Sequence, residues 1–251
     1  MCRPIASFWH SPDGAALAAP AGCHAFRAYL PYVAKKILYA PDRRLRRSGA
    51  ADRVVPRQTA GLSVNPVQII RPRRFEDERG WFMETHSERA FAARGLTDHY
   101  VQDNHSLSRP AGVVRGLHFQ VPPHAQAKLV RCVRGAIFDV AVDVRRGSPT
   151  YGQWVAARLT AAGGEQLYMP TGFAHGFITL EPDTEVCYKV TDFYAPAQDG
   201  GVIWNDPDIA VAWPDVGVAP SLSPKDLTLP RLADFDSPFP YDGRPLGPIE
   251  G

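Results

Sequence analysis

From Val67 to about residue 191, the chain consists of short segments in which apolar and polar residues alternate, separated by turn-forming residues. An alternation of period two places successive side chains on opposite faces of a β-strand, so this pattern predicts strands. Ser87–Arg94 is the exception and predicts a short helix, with Ser87 as N-cap and Gly95 as its stop. The predicted strands are Val67–Arg71, Trp81–Thr85, 100–108, 113–120, 128–134, 136–144, 153–159, 166–169, 174–180 and 186–191.

The spacing of these segments indicates the fold class. Strands that recur about every ten residues with no helical pattern between them favour an antiparallel sandwich or barrel. Beyond residue 195 proline is frequent and the periodicity fades, which predicts a loop-rich arm with one short helix. We therefore expect an all-β domain over 64–233, preceded by a basic, disordered extension over 1–63. A Pro/Gly-rich tail is expected over 234–251.

The predicted strand 136–144 has two unlike faces. Its even-numbered positions are all apolar, whereas its odd-numbered face carries Asp139 and Asp143. In 100–108, Gln102 and Asn104 likewise share one face. Polar faces that point into a barrel would line a cavity, and polar faces that point outward would be solvated. The alternation alone leaves both arrangements open.

Charge and cysteine content narrow the classes of protein. The 251 residues carry a formal net charge of +2, but residues 1–63 hold ten Lys and Arg against three acids. We interpret that segment as a solvated tail rather than a nucleic-acid patch, and a transit peptide stays open. The four cysteines form no CxxC pair, so reduced thiols in the cytoplasm are expected. No run approaches the roughly 18 apolar residues of a membrane span.

One spacing of residues points to a particular kind of barrel. The segment from Gly164 to His175 has the pattern G-x5-P-x-G-x2-H, which resembles the second motif of the cupin superfamily. The resemblance implies a double-stranded β-helix, or jelly-roll barrel. The first cupin motif begins G-x5-H-x-H, but here Gly112 and His118 are followed by Gln120 at the next ligand position. A transition-metal site usually needs three or more His or carboxylate ligands, so we predict proton transfer instead of metal binding.

Ten motifs in order resemble one family, the dTDP-4-dehydrorhamnose 3,5-epimerases. Each motif is weak alone, but the ordered set is specific and covers about residues 66 to 233. The motifs are Asp77–Phe82, Val101–Ser106, Arg115–Gln120, Gln126–Arg131, Phe138–Asp143, Ser148–Gly152, Pro170–Phe177, Tyr188–Thr191, Trp204–Pro207 and Leu222–Asp226.

The resemblance implies an isomerase that converts dTDP-4-dehydro-6-deoxy-D-glucose to dTDP-4-dehydro-L-rhamnose without a cofactor or metal. The C4 ketone acidifies the C3 and C5 protons, so each carbon can form an enolate and take a proton on its other face. By motif matching, His118 is the base, Asp226 its orienting partner and Tyr188 the proton donor. Lys128 and His175 match groups near the keto oxygen, whose donors would stabilise the enolate.

The resemblance also implies the binding residues and partners. Guanidinium and ammonium groups suit the pyrophosphate of the substrate, and an indole could stack on thymine. A cytoplasmic homodimer is implied, with no nucleic-acid or membrane partner. The matched contact positions are Arg79, Glu84, Gln102, Asp103, Asn104, Arg115, His175, Asp199, Trp204 and Lys225.

Three other functions stay open at this point. Related enzymes that epimerise only C3 or only C5 share the His–Tyr pair, so a mono-epimerase is one alternative. A metal-dependent cupin oxygenase and a non-catalytic sugar-binding cupin are the others. A geometric conflict also needs resolution, because strict alternation places Arg115 and His118 on opposite faces of one strand. A bulge at Gly116 would reconcile the two roles.

Overall fold

Two five-stranded antiparallel sheets form the framework of the protein. The computed structural model describes residues 65–249. The strands are β1 (Gln68–Ile70), β2 (Arg74–Asp77), β3 (Gly80–Met83), β4 (Gln102–Ser108), β5 (Val114–Gln120), β6 (Lys128–Arg134), β7 (Ala136–Asp143), β8 (Trp154–Thr160), β9 (Gln166–Met169), β10 (Phe173–Thr179), β11 (Thr184–Val190) and β12 (Asp199–Gly201). One helix, α1 (Glu88–Ala92), and two 3-10 turns, Asp226–Thr228 and Leu232–Asp234, complete the elements of this region.

The order of the strands confirms the predicted all-β jelly-roll class with short peripheral helices. The first sheet has the order β1-β9-β6-β11-β4, and the second has the order β12-β5-β10-β7-β8. Among the strands of the described region, β2 and β3 pair only with each other, as a hairpin. Within the described residues, no helix is long and apolar enough to cross a membrane.

The space between the sheets is filled by one apolar cluster to which both contribute. Val130 and Val186 come from the first sheet, and Ile137, Ala141 and Phe177 come from the second. The odd-numbered face of β7 therefore points inward and takes Asp139 with it. The even-numbered face of β7 packs under the C-terminal arm. The inward orientation of the polar face, which the alternation left open, is the one found.

The predicted elements differ from the observed ones in three places. The strand predicted at Trp81–Thr85 is one half of a hairpin, and its partner β2 was not predicted. The short strand β12 lies in the arm that we expected to be loop, and it pairs with the end of β5. The helix spans only Glu88–Ala92, and Ser87 precedes it without a side-chain capping hydrogen bond.

The C-terminal arm packs closely on the barrel. Phe239 and Leu246 are buried in the two main apolar clusters. The Arg146 amide donates to the Phe239 carbonyl at 2.7 Å, and the Asn65 side chain donates to the Gly247 carbonyl at 2.6 Å. The domain boundary at 233 remains a prediction, and the predicted extension over 1–63 lies outside the described residues.

A buried ion pair fixes the junction between β7 and this arm. The Arg145 guanidinium, 2% exposed, donates to Asp143 at 2.9 and 2.7 Å and to Asp242 at 2.7 Å. Ser148 and Thr150 also donate to Asp143, each at 2.7 Å. Burial alone would raise the pKa of Asp143, but these hydrogen bonds hold it below its usual range. The carboxylate is therefore ionised and fully partnered.

Asp143→Asn should lower the free energy of unfolding by about 3 kcal/mol, because it leaves a buried guanidinium short of its counter-charge. The native pKa is depressed, so this stabilisation is present above the unfolded carboxyl pKa of about 3.9 and is lost as the pH falls below it. Urea unfolding at pH 7 and pH 3 would measure both effects. Glu78→Gln, on the exposed hairpin turn, is the control. Equal stability of D143N and wild type at pH 7 would contradict this account.

Candidate active site

A cavity of about 320 Å³ opens at one end of the barrel. It lies between the first sheet, which contributes β4, β6 and β11, and the second, which contributes β5 and β12. The walls are mainly polar, which is unusual for a space between two sheets and suits a polar ligand, because buried polar groups need hydrogen-bond partners. The lining residues are Gln102, Asn104, His118, Phe119, Gln120, Gln126, Lys128, Tyr188, Tyr194, Asp199 and Lys225.

His118 projects into this cavity from β5 and is held by a carboxylate. Its Nε2 lies 2.5 Å from Oδ1 of Asp226, which begins a 3-10 turn and is almost completely buried. The Ser223 hydroxyl donates to the other carboxylate oxygen at 2.8 Å. Burial raises the pKa of Asp226, but the hydrogen bonds from His118 and Ser223 outweigh it and lower the pKa overall. Because the carboxylate accepts, Nε2 carries the proton and Nδ1 is left as the acceptor.

Lys128 is a buried cation beside the histidine. Its Nζ donates to the His118 backbone carbonyl at 3.2 Å. Desolvation lowers the pKa of Lys128 to about 8, against the opposing charges of Asp199 and Asp139. An ammonium group that is poised near neutral pH in a cavity can both stabilise negative charge and lose its proton readily.

A second His–Asp pair lies behind the first. His175 on β10 is the cross-strand neighbour of His118, and its Nε2 lies 2.7 Å from Oδ1 of Asp139. Burial lowers the pKa of His175, although the carboxylate opposes the shift. The imidazole is therefore neutral at pH 7, and because Nε2 carries the proton that is donated to Asp139, Nδ1 is left as an acceptor. Oδ2 of Asp139 is buried, and no residue in the described range 65–249 hydrogen-bonds to it.

Tyr188 faces the cavity from β11, so the phenol and the His118 imidazole come from opposing sheets. Burial raises the pKa of Tyr188. The positive charge of Arg115 opposes this shift, and the negative charge of Asp199 adds to it. The phenol therefore remains protonated at neutral pH. A proton acceptor on one wall and a proton donor on the facing wall are the arrangement needed to exchange a proton between two faces of a bound ring.

Strand β5 contains the irregularity that the conflict between Arg115 and His118 requires. On β10, His175 pairs with His118 of β5. Phe177 lies two residues after His175 but pairs with Arg115, which lies three residues before His118, so β5 has one extra residue here. Gly116 has a φ of +136°, and a Cβ there would collide with the Cα of Gly176. The extra residue turns Arg115 to the cavity side, where its guanidinium lies within 3.4 Å of the Ser108 hydroxyl.

The structure brings only part of the predicted contact set together. Gln102, Asn104, Asp199 and Lys225 line the cavity, and the last two form an ion pair at 2.5 Å. Asp103 lines an adjoining cavity on the outer face of the first sheet, paired with Lys189.

Besides Asp103, three further predicted contacts lie outside the cavity of a single chain. Arg79 is on the exposed β2–β3 turn, paired with Asp77, and Glu84 follows that hairpin. Trp204 is adjacent to Trp213, whose indole donates to the Trp204 carbonyl at 2.9 Å on the outer side of the second sheet. Substrate contact by these three residues stays a prediction.

Several lining residues were not predicted from the sequence. Tyr194 lies in a loop after β11, and its hydroxyl donates to Asp199 at 3.0 Å at the rim of the cavity. Gln120 was noted only as the residue in place of a metal ligand, and Gln126 lies within a quoted motif that gave no reason to single it out. Ser223, within another motif, was also missed; it does not line the cavity but holds Asp226. Within residues 65–249, no group of three or more His, Cys, Asp or Glu side chains is arranged to hold a metal ion.

Comparison with known proteins identifies the family. The sequence profile described as dTDP-4-dehydrorhamnose 3,5-epimerase matches residues 61–234. The protein of that name from Sinorhizobium fredii is 52% identical over 180 residues, which are 72% of this chain and 92% of that protein.

Solved structures agree with this match. The Bacillus anthracis dTDP-4-dehydrorhamnose 3,5-epimerase, solved with TDP and PPi bound, is 47% identical, with a TM-score of 0.64 over 66% of this chain and 93% of that one. A Legionella pneumophila dTDP-6-deoxy-D-glucose-3,5-epimerase, in complex with dTDP-4-keto-L-rhamnose, is 43% identical, with a TM-score of 0.65 over 68% of this chain and 90% of that one. The chain therefore belongs to the dTDP-4-dehydrorhamnose 3,5-epimerase family.

Proposed function

We propose that this protein epimerises dTDP-4-dehydro-6-deoxy-D-glucose at C3 and C5 and so makes dTDP-4-dehydro-L-rhamnose for dTDP-L-rhamnose biosynthesis. The observation that carries the proposal is the pair of proton-transfer groups on facing walls of one cavity, His118 with Asp226 and Tyr188. Membership of the epimerase family supports the same substrate class. A sugar-binding module would have no use for a base opposite an acid.

In the proposed reaction, His118 Nδ1 removes the proton from C3 or C5, and the electrons of that C–H bond move into an enolate on the C4 oxygen. Asp226 keeps the imidazole in the required tautomer and stabilises the imidazolium that forms. Tyr188 then donates its proton to the opposite face of the carbon, and the C4 carbonyl re-forms. Solvent takes the proton from His118 and returns one to the phenolate, which resets the site for the second carbon.

Lys128 is proposed to stabilise the enolate. It is buried on the His118 side of the cavity, where a fixed donor is worth more than in water. The ammonium supplies charge, whereas the one N–H of a neutral His175 is directed at Asp139. Donation by His175 to the keto oxygen, which the resemblance implied, would need the tautomer with its proton on Nδ1 and is not part of this proposal. Loss of one such donor typically costs on the order of 10²–10³ in kcat, which is what we expect for Lys128→Met.

The low pKa of Lys128 gives a pH prediction. Above about pH 8 the ammonium loses its proton, so kcat/KM should fall as the pH rises through that value. Lys128→Arg keeps a charge across this range, because a guanidinium does not titrate below pH 12. We expect this variant to be slower than wild type but to lack the decline near pH 8. If kcat/KM of K128R also fell near pH 8, the decline would have to come from the titration of another group.

The nucleotide is proposed to lie toward the rim. The Lys225 ammonium and the Arg115 guanidinium suit the pyrophosphate. The aromatic ring placed to stack on thymine is Tyr194, which lines the cavity, whereas Trp204 packs against Trp213. Stacking of the Trp204 indole on thymine, which the sequence suggested, stays an alternative prediction.

A homodimer is proposed from the hairpin. Phe75, Trp81 and Phe82 on β2–β3 are 49%, 57% and 69% exposed, which is unusual for three large apolar side chains so close together. Arg79 is on the same hairpin and outside its own chain's lining set, so we propose that it contacts a second copy. Sedimentation equilibrium should give twice the chain mass of 27.6 kDa, and a Trp81→Glu, Phe82→Lys variant should shift it to the monomer.

The experiment that tests the function is product identification. Purified protein incubated with dTDP-4-dehydro-6-deoxy-D-glucose should give a sugar in which proton NMR couplings show inversion at both C3 and C5. Inversion at one carbon would favour a mono-epimerase of deoxysugar biosynthesis. Recovery of unchanged substrate from a complex that binds it would favour a sugar-binding module.

A further inference from the structure

Gln120 occupies the place on β5 where a metal-binding cupin has its second histidine, and the proposed reaction gives it no role. Its side chain is on the cavity face with His118 and is 4% exposed. A buried amide is retained only where its polar atoms are hydrogen-bonded, since each unpartnered group carries a desolvation penalty. Its partners therefore indicate what the residue does.

The amide of Gln120 connects two loops that border the cavity. Its Nε2 donates to the His124 carbonyl at 2.7 Å, in the loop between β5 and β6. The same nitrogen donates to the Phe193 carbonyl at 3.1 Å, and Oε1 accepts from the Ala195 amide at 2.8 Å. The last two partners are the residues on either side of Tyr194. Both amide protons and the amide oxygen are thus committed to backbone.

The segment 192–198, here called the Tyr194 loop, is held by side chains around Tyr194. Its C-terminal end is held by the backbone, since the Val121 amide donates to the Gln198 carbonyl at 2.9 Å. Tyr194 itself is 57% exposed and Phe193 is 63% exposed, so little apolar burial holds them. The Tyr194 amide donates to the Gln102 side chain at 3.1 Å, and Gln126 donates to the Asp192 carbonyl at 2.8 Å. Of these contacts, those of Gln120 bracket the tyrosine and come from the buried side.

We infer that Gln120 is a positioning residue: it holds the Tyr194 ring at the rim of the cavity and so sets the affinity for the thymidine diphosphate part of the substrate. The inference rests on the proposed function. It acts on binding rather than on proton transfer, because none of the three hydrogen bonds reaches His118, Lys128 or Tyr188. The glutamine that stands in place of a metal-binding histidine thus holds a loop through three hydrogen bonds.

The test uses the full-length protein and Gln120→Met, which keeps the side-chain volume and removes the amide. The Kd for dTDP, measured by calorimetry, should rise about tenfold, with a similar rise in KM and with kcat within threefold of wild type. Tyr194→Ala should weaken dTDP binding as well. The double variant should bind no more weakly than Y194A alone, since the two residues act through one contact.

A second readout reports the loop directly. Chymotrypsin should cut after Phe193 or Tyr194 several-fold faster in Q120M than in wild type, and bound dTDP should slow the cut. Gln166→Met is the matched control. Gln166 is a buried amide on the first sheet, and it donates to the Thr85 carbonyl. Its loss should therefore leave this cleavage unchanged. Should Q120M fail to fold, Ala195→Pro removes the backbone N–H from which Oε1 accepts and should reproduce the weaker dTDP binding. The cleavage assay does not apply to this variant, because chymotrypsin does not cut before a proline and so cannot cut after Tyr194.

The outcomes separate this inference from the proposed function. Unchanged dTDP affinity and unchanged cleavage in Q120M, in a wild type that epimerises the substrate, would overturn the role of Gln120 and leave the function standing. Additive effects of Q120M and Y194A on Kd would also overturn it, because they would indicate direct contact of Gln120 with the ligand. A wild type that binds dTDP but leaves the substrate unchanged would refute the function, while the loop measurements would still decide the anchor.

Discussion

Replacement of His118 with alanine should lower kcat by about 10³–10⁴-fold, toward the upper end of the range for loss of a general base. The effect is expected to be large because both C3 and C5 depend on the same imidazole. Substrate affinity should change little, since Lys225, Gln102 and the other lining groups remain. Quenched assays at fixed times, with NMR detection of the product, would measure the loss of kcat.

The control for this variant is His99→Ala, because His99 is an exposed histidine paired with Glu88 on the outer side of the first sheet. It should retain wild-type kcat within twofold. Asp226→Asn should fall between the two, because the imidazole is still present but loses the carboxylate that selects its tautomer. Exchange by H118A at the wild-type rate would remove His118 from the role of base.

Tyr188→Phe should separate proton exchange from inversion. Without the phenol, His118 can still remove a proton and return one from solvent to the same face, but delivery to the opposite face is lost. Product formation should therefore fall about 10²–10⁴-fold, while substrate recovered from D2O gains deuterium with its configuration retained. Mass spectrometry and NMR of the recovered sugar would distinguish the two.

Tyr151→Phe offers a matched loss of one hydroxyl, since Tyr151 lies in the turn before β8 and does not line the cavity. Its product formation should equal that of wild type. If Y188F inverted C3 and C5 at the normal rate, the donor would have to be another group on the first sheet. Equal loss of exchange and inversion in Y188F would instead indicate that the phenol positions the substrate.

Much of the strand framework was predictable because it depends on local alternation. The strand predicted at 136–144 matches β7 to within one residue, and those predicted at 128–134 and 166–169 coincide with β6 and β9. The alternation did not decide which face of β7 points inward. The bulge at Gly116 was predicted because Arg115 and His118 are an odd number of residues apart and would otherwise lie on opposite faces of β5. The observed pairing of Phe177 with Arg115 confirms it.

Other features depend on contacts between distant segments and left no local signal. Strand β12 contains two glycines and pairs only because the arm returns to the end of β5. Tyr194 and Trp204 are both aromatic residues in loop regions, and only the fold shows which of them borders the cavity. Arg79 lies in the exposed turn of a hairpin, and a single chain does not show which residues of a second copy it would contact.

The central claim is that one imidazole and one phenol move protons at two carbons of a single ketosugar. Wild-type protein incubated with the substrate in D2O tests this most directly, with the product sugar examined by NMR. The account predicts deuterium at both C3 and C5 of the inverted sugar. A product that carries hydrogen from the substrate at either position would contradict it.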